Sequence, residues 1–176
     1  MRYVAFLRGI NVGGHKPLKM DVLRKAFESL KFQSVTTVLA SGNVLFQTRG
    51  ASRTALAKKI ERRLATVLKH DILVIVRTVA EIQSLVDANP FKHIRVTPHT
   101  RFYVTFLSEA PKSVSKTLRS LDKNLQLVRV SNGEVCSLVT LSADGQTTDL
   151  MAAIEKEFGR GVTTRNWNTI ARILSN

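Results

Sequence analysis

Two short stretches of this sequence gather side chains whose types and spacing could do chemistry. The first is Leu7-Arg8-Gly9-Ile10-Asn11-Val12-Gly13-Gly14, continued by Lys16 and Lys19, and the second is Ala40-Ser41-Gly42-Asn43. Arg8, Lys16 and Lys19 bring positive charge and N–H donors, Asn11 and Asn43 bring a donor and an acceptor each, and Ser41 brings a hydroxyl. Glycine among them lets the backbone turn through positive φ and come close to a bound group. That set suits an oxyanion, a phosphate or a carboxylate. Each residue also has a plainer use: Gly42 and Asn43 can simply make a turn, Asn11 can cap its own loop, and Arg8 and Lys19 can be solvated. Gly9, Gly13 and Gly14 do not follow the dinucleotide or Walker spacing, so no nucleotide motif is read here.

Other chemistries find less in the sequence. His15, His70, His93 and His99 lack metal-type spacing, and the last two lie in a proline-bearing segment, so no metal site is expected. Ser41 has no nucleophile-elbow pattern around it, which argues against a hydrolytic triad with His15 or His70 and Asp71. Cys136 is the only cysteine, excluding an internal disulfide, and it sits in an apolar run that suits an inert buried thiol. Asp144, Asp149, Glu155 and Glu157 read as the polar face of a helix. Catalytic residues and cofactors stay unassigned, and the sequence leaves enzyme and binding protein open.

Something must position the polar stretches. Tyr3 to Arg8 reads as a strand covered on both faces, and Val22, Leu23, Ala26, Phe27 and Leu30 mark a helix from Met20 to Leu30. Val35–Leu39 and Val44–Thr48 are strands joined at Gly42-Asn43. Leu56, Ile60, Leu64, Val67 and Leu68 stripe a helix over 53–69, with Lys58, Lys59, Arg62 and Arg63 opposite, and Ile72–Val76 is a buried strand. The order β-α-β-β-α-β is the ferredoxin-like pattern. A helix over 78–88, capped by Thr78, closes residues 1–89 as a first subdomain, and 90–99 is a connector.

Residues 100–176 begin the same way: a strand over 101–107, a helix over 111–122, strands over 125–130 and 135–141 around Asn132-Gly133, and a helix over 147–158 ended by Gly159. A helix over 165–174, with Trp167, Ile170, Ala171 and Leu174 inward and Thr163 or Thr164 as cap, stands where a closing strand would be. The expected fold is therefore α+β, two ferredoxin-like βαββαβ-type halves with a C-terminal helix. Sequence identity between the halves is weak, so the inferred duplication rests on element order.

In a sheet of order 4-1-3-2 the end of the first strand lies beside the start of the third. Arg8 and Asn11 should then meet Ser41, Gly42 and Asn43, with Lys19 at the N-terminus of the next helix, where unpaired amides favour anions. Arg165 and Asn166 would add a contribution from the second half. The expected ligand-binding set is thus Arg8, Asn11, Lys19, Ser41, Gly42, Asn43, Arg165 and Asn166.

The 176 residues carry 27 Lys and Arg against 13 Asp and Glu, a net charge of +14 that favours anionic partners or simply keeps the surface soluble. The partners expected are an anionic small molecule or, through non-specific attraction by the basic helices, nucleic acid; the aromatic pattern that stacks bases is missing from the third strand. No run approaches a signal h-region or a membrane span, so a cytoplasmic protein without a membrane is expected, as monomer or homodimer.

Four motifs in order, Leu7 to Gly14, Lys19-Met20, Ser41-Gly42-Asn43-Val44 and Thr164-Arg165-Asn166-Trp167-Asn168-Thr169, resemble an uncharacterised bacterial family known only as domain of unknown function 1697. The resemblance spans essentially the whole chain and implies the duplicated ferredoxin-like α+β fold. It brings no activity, substrate or catalytic residue.

Overall fold

The computed structural model describes residues 1–11, 18–112, 119–142 and 149–176. It is a mixed α+β structure whose described residues form two antiparallel sheets and five helices. The chain divides into two compact units, 1–84 with 172–176, and 85–171.

In the first unit β1 (Arg2–Leu7), α1 (Met20–Glu28), β2 (Gln33–Val38), β3 (Asn43–Gln47), α2 (Arg53–Leu68) and β4 (Val74–Thr78) follow the expected order, and α3 (Val79–Asp87) comes after them. The sheet order is β2-β3-β1-β4, as the ferredoxin-like pattern requires. Alternation along the strands decides which side chains meet the helices. Tyr3, Ala5, Leu7, Val44, Phe46, Val74 and Val76 form one core with Leu23, Ala26 and Phe27 of α1 and Leu56, Ile60 and Leu64 of α2. Phe46 is its aromatic centre, stacked on Phe32 at 4.5 Å and met edge-on by Phe27 at 5.6 Å. The alternate residues Val4, Phe6, Leu45 and Ile75 are buried as well, which is why these strands read apolar throughout.

Local signals set the boundaries. Ser52 caps α2 by accepting from the Ala55 amide at 3.1 Å. Thr78 and Glu81 form a reciprocal capping box: Thr78 Oγ1 accepts from the Glu81 amide at 3.1 Å while Glu81 Oε2 accepts from the Thr78 amide at 2.8 Å. The strand expected at Ile72 begins only at Val74, whose amide donates to Glu61 Oε1 at 2.9 Å.

The second unit contains β5 (Thr100–Leu107), β6 (Arg119–Asp122), β7 (Leu125–Val130), β8 (Glu134–Thr140), α4 (Leu150–Phe158) and β9 (Val162–Asn166), and α5 (Trp167–Leu174) follows β9. Its sheet order is β6-β7-β8-β5-β9. Leu107, Leu127, Val130, Val135, Ile154 and Val162 make its core. Asp149 caps α4 by accepting from the Ala152 amide at 3.0 Å. Within the connector segment Phe91 is buried and stacks on Phe102 at 4.4 Å.

Three expectations are corrected here. Residues 119–122, expected at the end of a helix over 111–122, form the edge strand β6, paired with β7 from Arg119↔Leu127 to Asp122↔Leu125; residues 113–118 lie outside the described residues. A closing strand does exist: β9 pairs with β5 from Tyr103↔Asn166 to Leu107↔Val162. It escaped the reading because Thr163, Thr164, Arg165 and Asn166 are polar, yet Thr163 and Arg165 are buried in the paired strand, and Thr164 satisfies its hydroxyl on Thr105 Oγ1 at 2.7 Å. The last helix accordingly starts at Trp167, capped by Asn166, whose Oδ1 accepts from the Asn168 amide at 2.9 Å. Ile170 is buried there as expected, with Trp167 and Leu174 partly buried, but Ile173 is buried as well and Ala171 is exposed.

Candidate functional site

At the exit of β1 the backbone does most of the joining. Phe6 pairs with Asn43, and the Leu7 amide donates to the Gly42 carbonyl at 2.8 Å, so the strand end lies against the Ser41-Gly42-Asn43 turn. On its other side the Arg8 amide donates to the Leu73 carbonyl at 3.0 Å, ahead of β4. Gly42 has φ +73°, and a methyl group on it would come within 3.0 Å of Ile10 and 3.1 Å of Leu7. A glycine is needed there for both reasons.

Asn11 holds the neighbouring loop. It sits at φ +57°, its Nδ2 donates to the carbonyls of Ala40 at 2.7 Å and Leu18 at 3.2 Å, and its Oδ1 accepts from the Leu18 amide at 2.6 Å. Both amide hydrogens and the oxygen are thereby used on backbone. Asparagine suits this left-handed position because its side chain bonds locally. Leu18 is held next to Asn11, which sets Lys19 close in sequence to the same edge. Asn43 is fully buried and donates to the Val38 carbonyl and to Ser41 Oγ, each at 3.0 Å. The turn is therefore braced from inside.

Arg8 is half-buried, and Lys19 and Ser41 are exposed. Lys19 takes the N-cap position of α1 without a side-chain cap, and its carbonyl accepts from the amides of Val22 at 3.0 Å and Leu23 at 3.4 Å. Asp21 in the first turn is bonded to Arg24 at 3.1 Å. Val12, Gly13, Gly14, His15, Lys16 and Pro17 lie outside the described residues. The first unit thus brings together Arg8, Asn11, Ser41, Gly42 and Asn43, with Lys19 one residue beyond Leu18.

Arg165 and Asn166 belong to the second unit. Arg165 is buried on β9 and donates through Nη1 to Thr163 Oγ1 at 2.9 Å and to the Thr164 carbonyl at 2.8 Å. Burial draws its pKa down to about 10, so it is still charged at neutral pH. Asn166 is the cap of α5.

A family model described as a protein of unknown function, DUF1697, matches residues 1–136. The chain belongs to this family. Three of the four motifs read in the sequence fall inside the matched span, and the Thr164–Thr169 stretch lies beyond it. The structure of a conserved bacterial protein, SP0830 from Streptococcus pneumoniae, is similar over 99% of this chain and 97% of that one, with a TM-score of 0.67 at 21% identity. At that identity the likeness concerns the fold of this DUF1697 member. No curated protein matches the chain.

Elsewhere the chemistry is quiet. Cys136 is buried and desolvation pushes its thiol up to about 12, which makes it unreactive at neutral pH. Among the described residues no group of three or more His, Cys, Asp and Glu could hold a metal ion, and no helix is long and apolar enough to cross a membrane. On the basic face of α2, Lys59 lies 5.1 Å over the Phe32 ring and donates to the Leu30 carbonyl at 3.2 Å, so part of that face serves packing.

Sequence reasoning missed the second unit's strand end. A signal was present: Tyr3-Val4-Ala5-Phe6-Leu7 returns as Tyr103-Val104-Thr105-Phe106-Leu107, and Ser41-Gly42-Asn43-Val44 as Asn132-Gly133-Glu134-Val135.

Proposed function

We propose that this DUF1697 protein binds a small phosphate- or carboxylate-bearing ligand at the exit of β1. Arg8 and Lys19 supply charge, the Ser41 hydroxyl supplies a contact, and Gly42 keeps the turn low. Asn11 and Asn43 act as positioning residues, since their side chains are bonded to the loop and the turn. The observation that carries the reading is the bond from the Leu7 amide to the Gly42 carbonyl, 2.8 Å, which sets the arginine-bearing strand end beside the turn. The N-terminus of α1 adds partial positive charge at Lys19, and the net charge of +14 steers anions toward the molecule.

Calorimetric titration with inorganic phosphate, pyrophosphate and citrate tests it. A charged hydrogen bond contributes about 1.5–3 kcal/mol, so Arg8→Ala should weaken the best of these anions about tenfold or more, and Lys19→Ala by less. Unchanged affinities in both variants, with the circular dichroism spectrum retained, would end the reading. Duplex or single-strand binding that survives Arg8→Ala and falls steeply with salt would instead favour nucleic acid held by the basic surface.

A further inference from the structure

The two units correspond bond for bond where their first strands end. Leu7 donates to Gly42 at 2.8 Å and Leu107 to Gly133 at 2.9 Å; the next amides, Arg8 and Ser108, donate to Leu73 at 3.0 Å and Gly161 at 2.8 Å. Val4 is paired with Arg77 and Val104 with Arg165, both arginines buried. The residues after Leu107 therefore hold the place that Arg8 to Asn11 hold after Leu7.

What fills that place differs. Counting on from the matched leucines, Ile10 corresponds to Ala110. Ile10 is 6% exposed and packs under the Gly42 turn, whereas Ala110 is small and exposed. In the second unit a cleft of about 820 Å³ opens at this strand end, bordered by Ala110 and by Gly159 to Gly161 after α4. Leu107, Val130 and Phe158 give it an apolar wall. Lys112, Arg119, Lys156 and Arg160 border it against Glu109, Glu155 and Glu157, and Arg119 is bonded to Glu157 at 2.5 Å. Basic groups outnumber acidic ones, and the volume falls in the range of small-molecule sites, about 300–1,000 Å³.

We propose that this cleft is a second binding site, for a small organic anion with an apolar body, of the aryl phosphate type. The apolar wall takes the ring, and Lys112 and Arg160 take the charged end. The site goes beyond the anion reading of the first unit and does not depend on it.

Amide chemical shifts followed by NMR during titration with phenyl phosphate test the proposal, with inorganic phosphate and phenol as controls. Saturable shifts are expected at Ser108, Glu109 and Ala110 and at Gly159 to Gly161. Phenyl phosphate should bind about tenfold tighter than either control, a difference of about 1.4 kcal/mol. Arg160→Ala should weaken it about tenfold, Ala110→Phe should block it by filling the cleft, and Arg8→Ala should leave it unchanged. Both substituted residues in the cleft are exposed, so the remaining spectrum reports that the fold persists. Saturable shifts confined to the surroundings of Arg8 and Gly42 would overturn the second site while supporting the first. Shifts near Ala110 indifferent to both cleft variants, or no saturable shift at all, would overturn it too.

Discussion

Replacing Gly42 by alanine should be among the costliest single-methyl changes in the first unit. The residue lies at φ +73°, where an L side chain is strained by about 1–2 kcal/mol. The added methyl would also approach Ile10 Cβ and Cγ1 at 3.0 Å and Leu7 Cβ at 3.1 Å. Those atoms belong to buried side chains at the end of β1, and forcing a methyl into such packing costs about 1–3 kcal/mol more. The total expected is about 2–5 kcal/mol. Gly9 separates the two contributions, because its φ is +69° and a methyl there meets nothing within 4 Å. Gly9→Ala should cost about 1 kcal/mol, the backbone strain less the gain from a stiffer unfolded chain. Urea denaturation followed by far-ultraviolet circular dichroism measures both. Equal losses in the two variants would mean that the turn does not press on Ile10 and Leu7, and the close approach on which the strand-end site is built would be refuted.

Asn43→Ala removes a fully buried amide and strands the Val38 carbonyl, so a loss of about 1–3 kcal/mol is expected from the same denaturation experiment, with Asn43→Asp no better. Cys136 should resist iodoacetamide at neutral pH in the native protein and react once guanidinium has unfolded it. Its pH dependence has a definite sign. The folded thiol titrates at about 12 and the unfolded one near 9.0, so the unfolded state loses its proton first and stability falls as pH rises from 9.0 toward 12. The fall attributable to this group is at most about 1.4 kcal/mol per pH unit, and Cys136→Ala should flatten that part of the profile. Arg119→Ala should change stability by less than about 1 kcal/mol, since its pairing with Glu157 is exposed.

The sequence alone determined the order of elements wherever apolar periodicity was strong. The stripe Leu56, Ile60, Leu64 could only be a helix face, and the apolar strands around it had to be covered on both sides, which with the Gly42-Asn43 turn gave the first sheet and its order. It also placed the end of β1 beside the Gly42-Asn43 turn, because antiparallel neighbours in that topology bring a strand's end to its neighbour's start. Only tertiary structure decided the rest. β9 is a strand because β5 offers it a ladder and buries Thr163 and Arg165, something no pattern of hydrophobic residues announces. Residues 119–122 took an edge of the second sheet through pairing with β7, although their spacing suited a helix. Which polar groups remain to meet a ligand was likewise settled by partners distant in sequence. Asn11 is occupied by Ala40 and Leu18, because a short amide in the left-handed region finds backbone before it finds solvent.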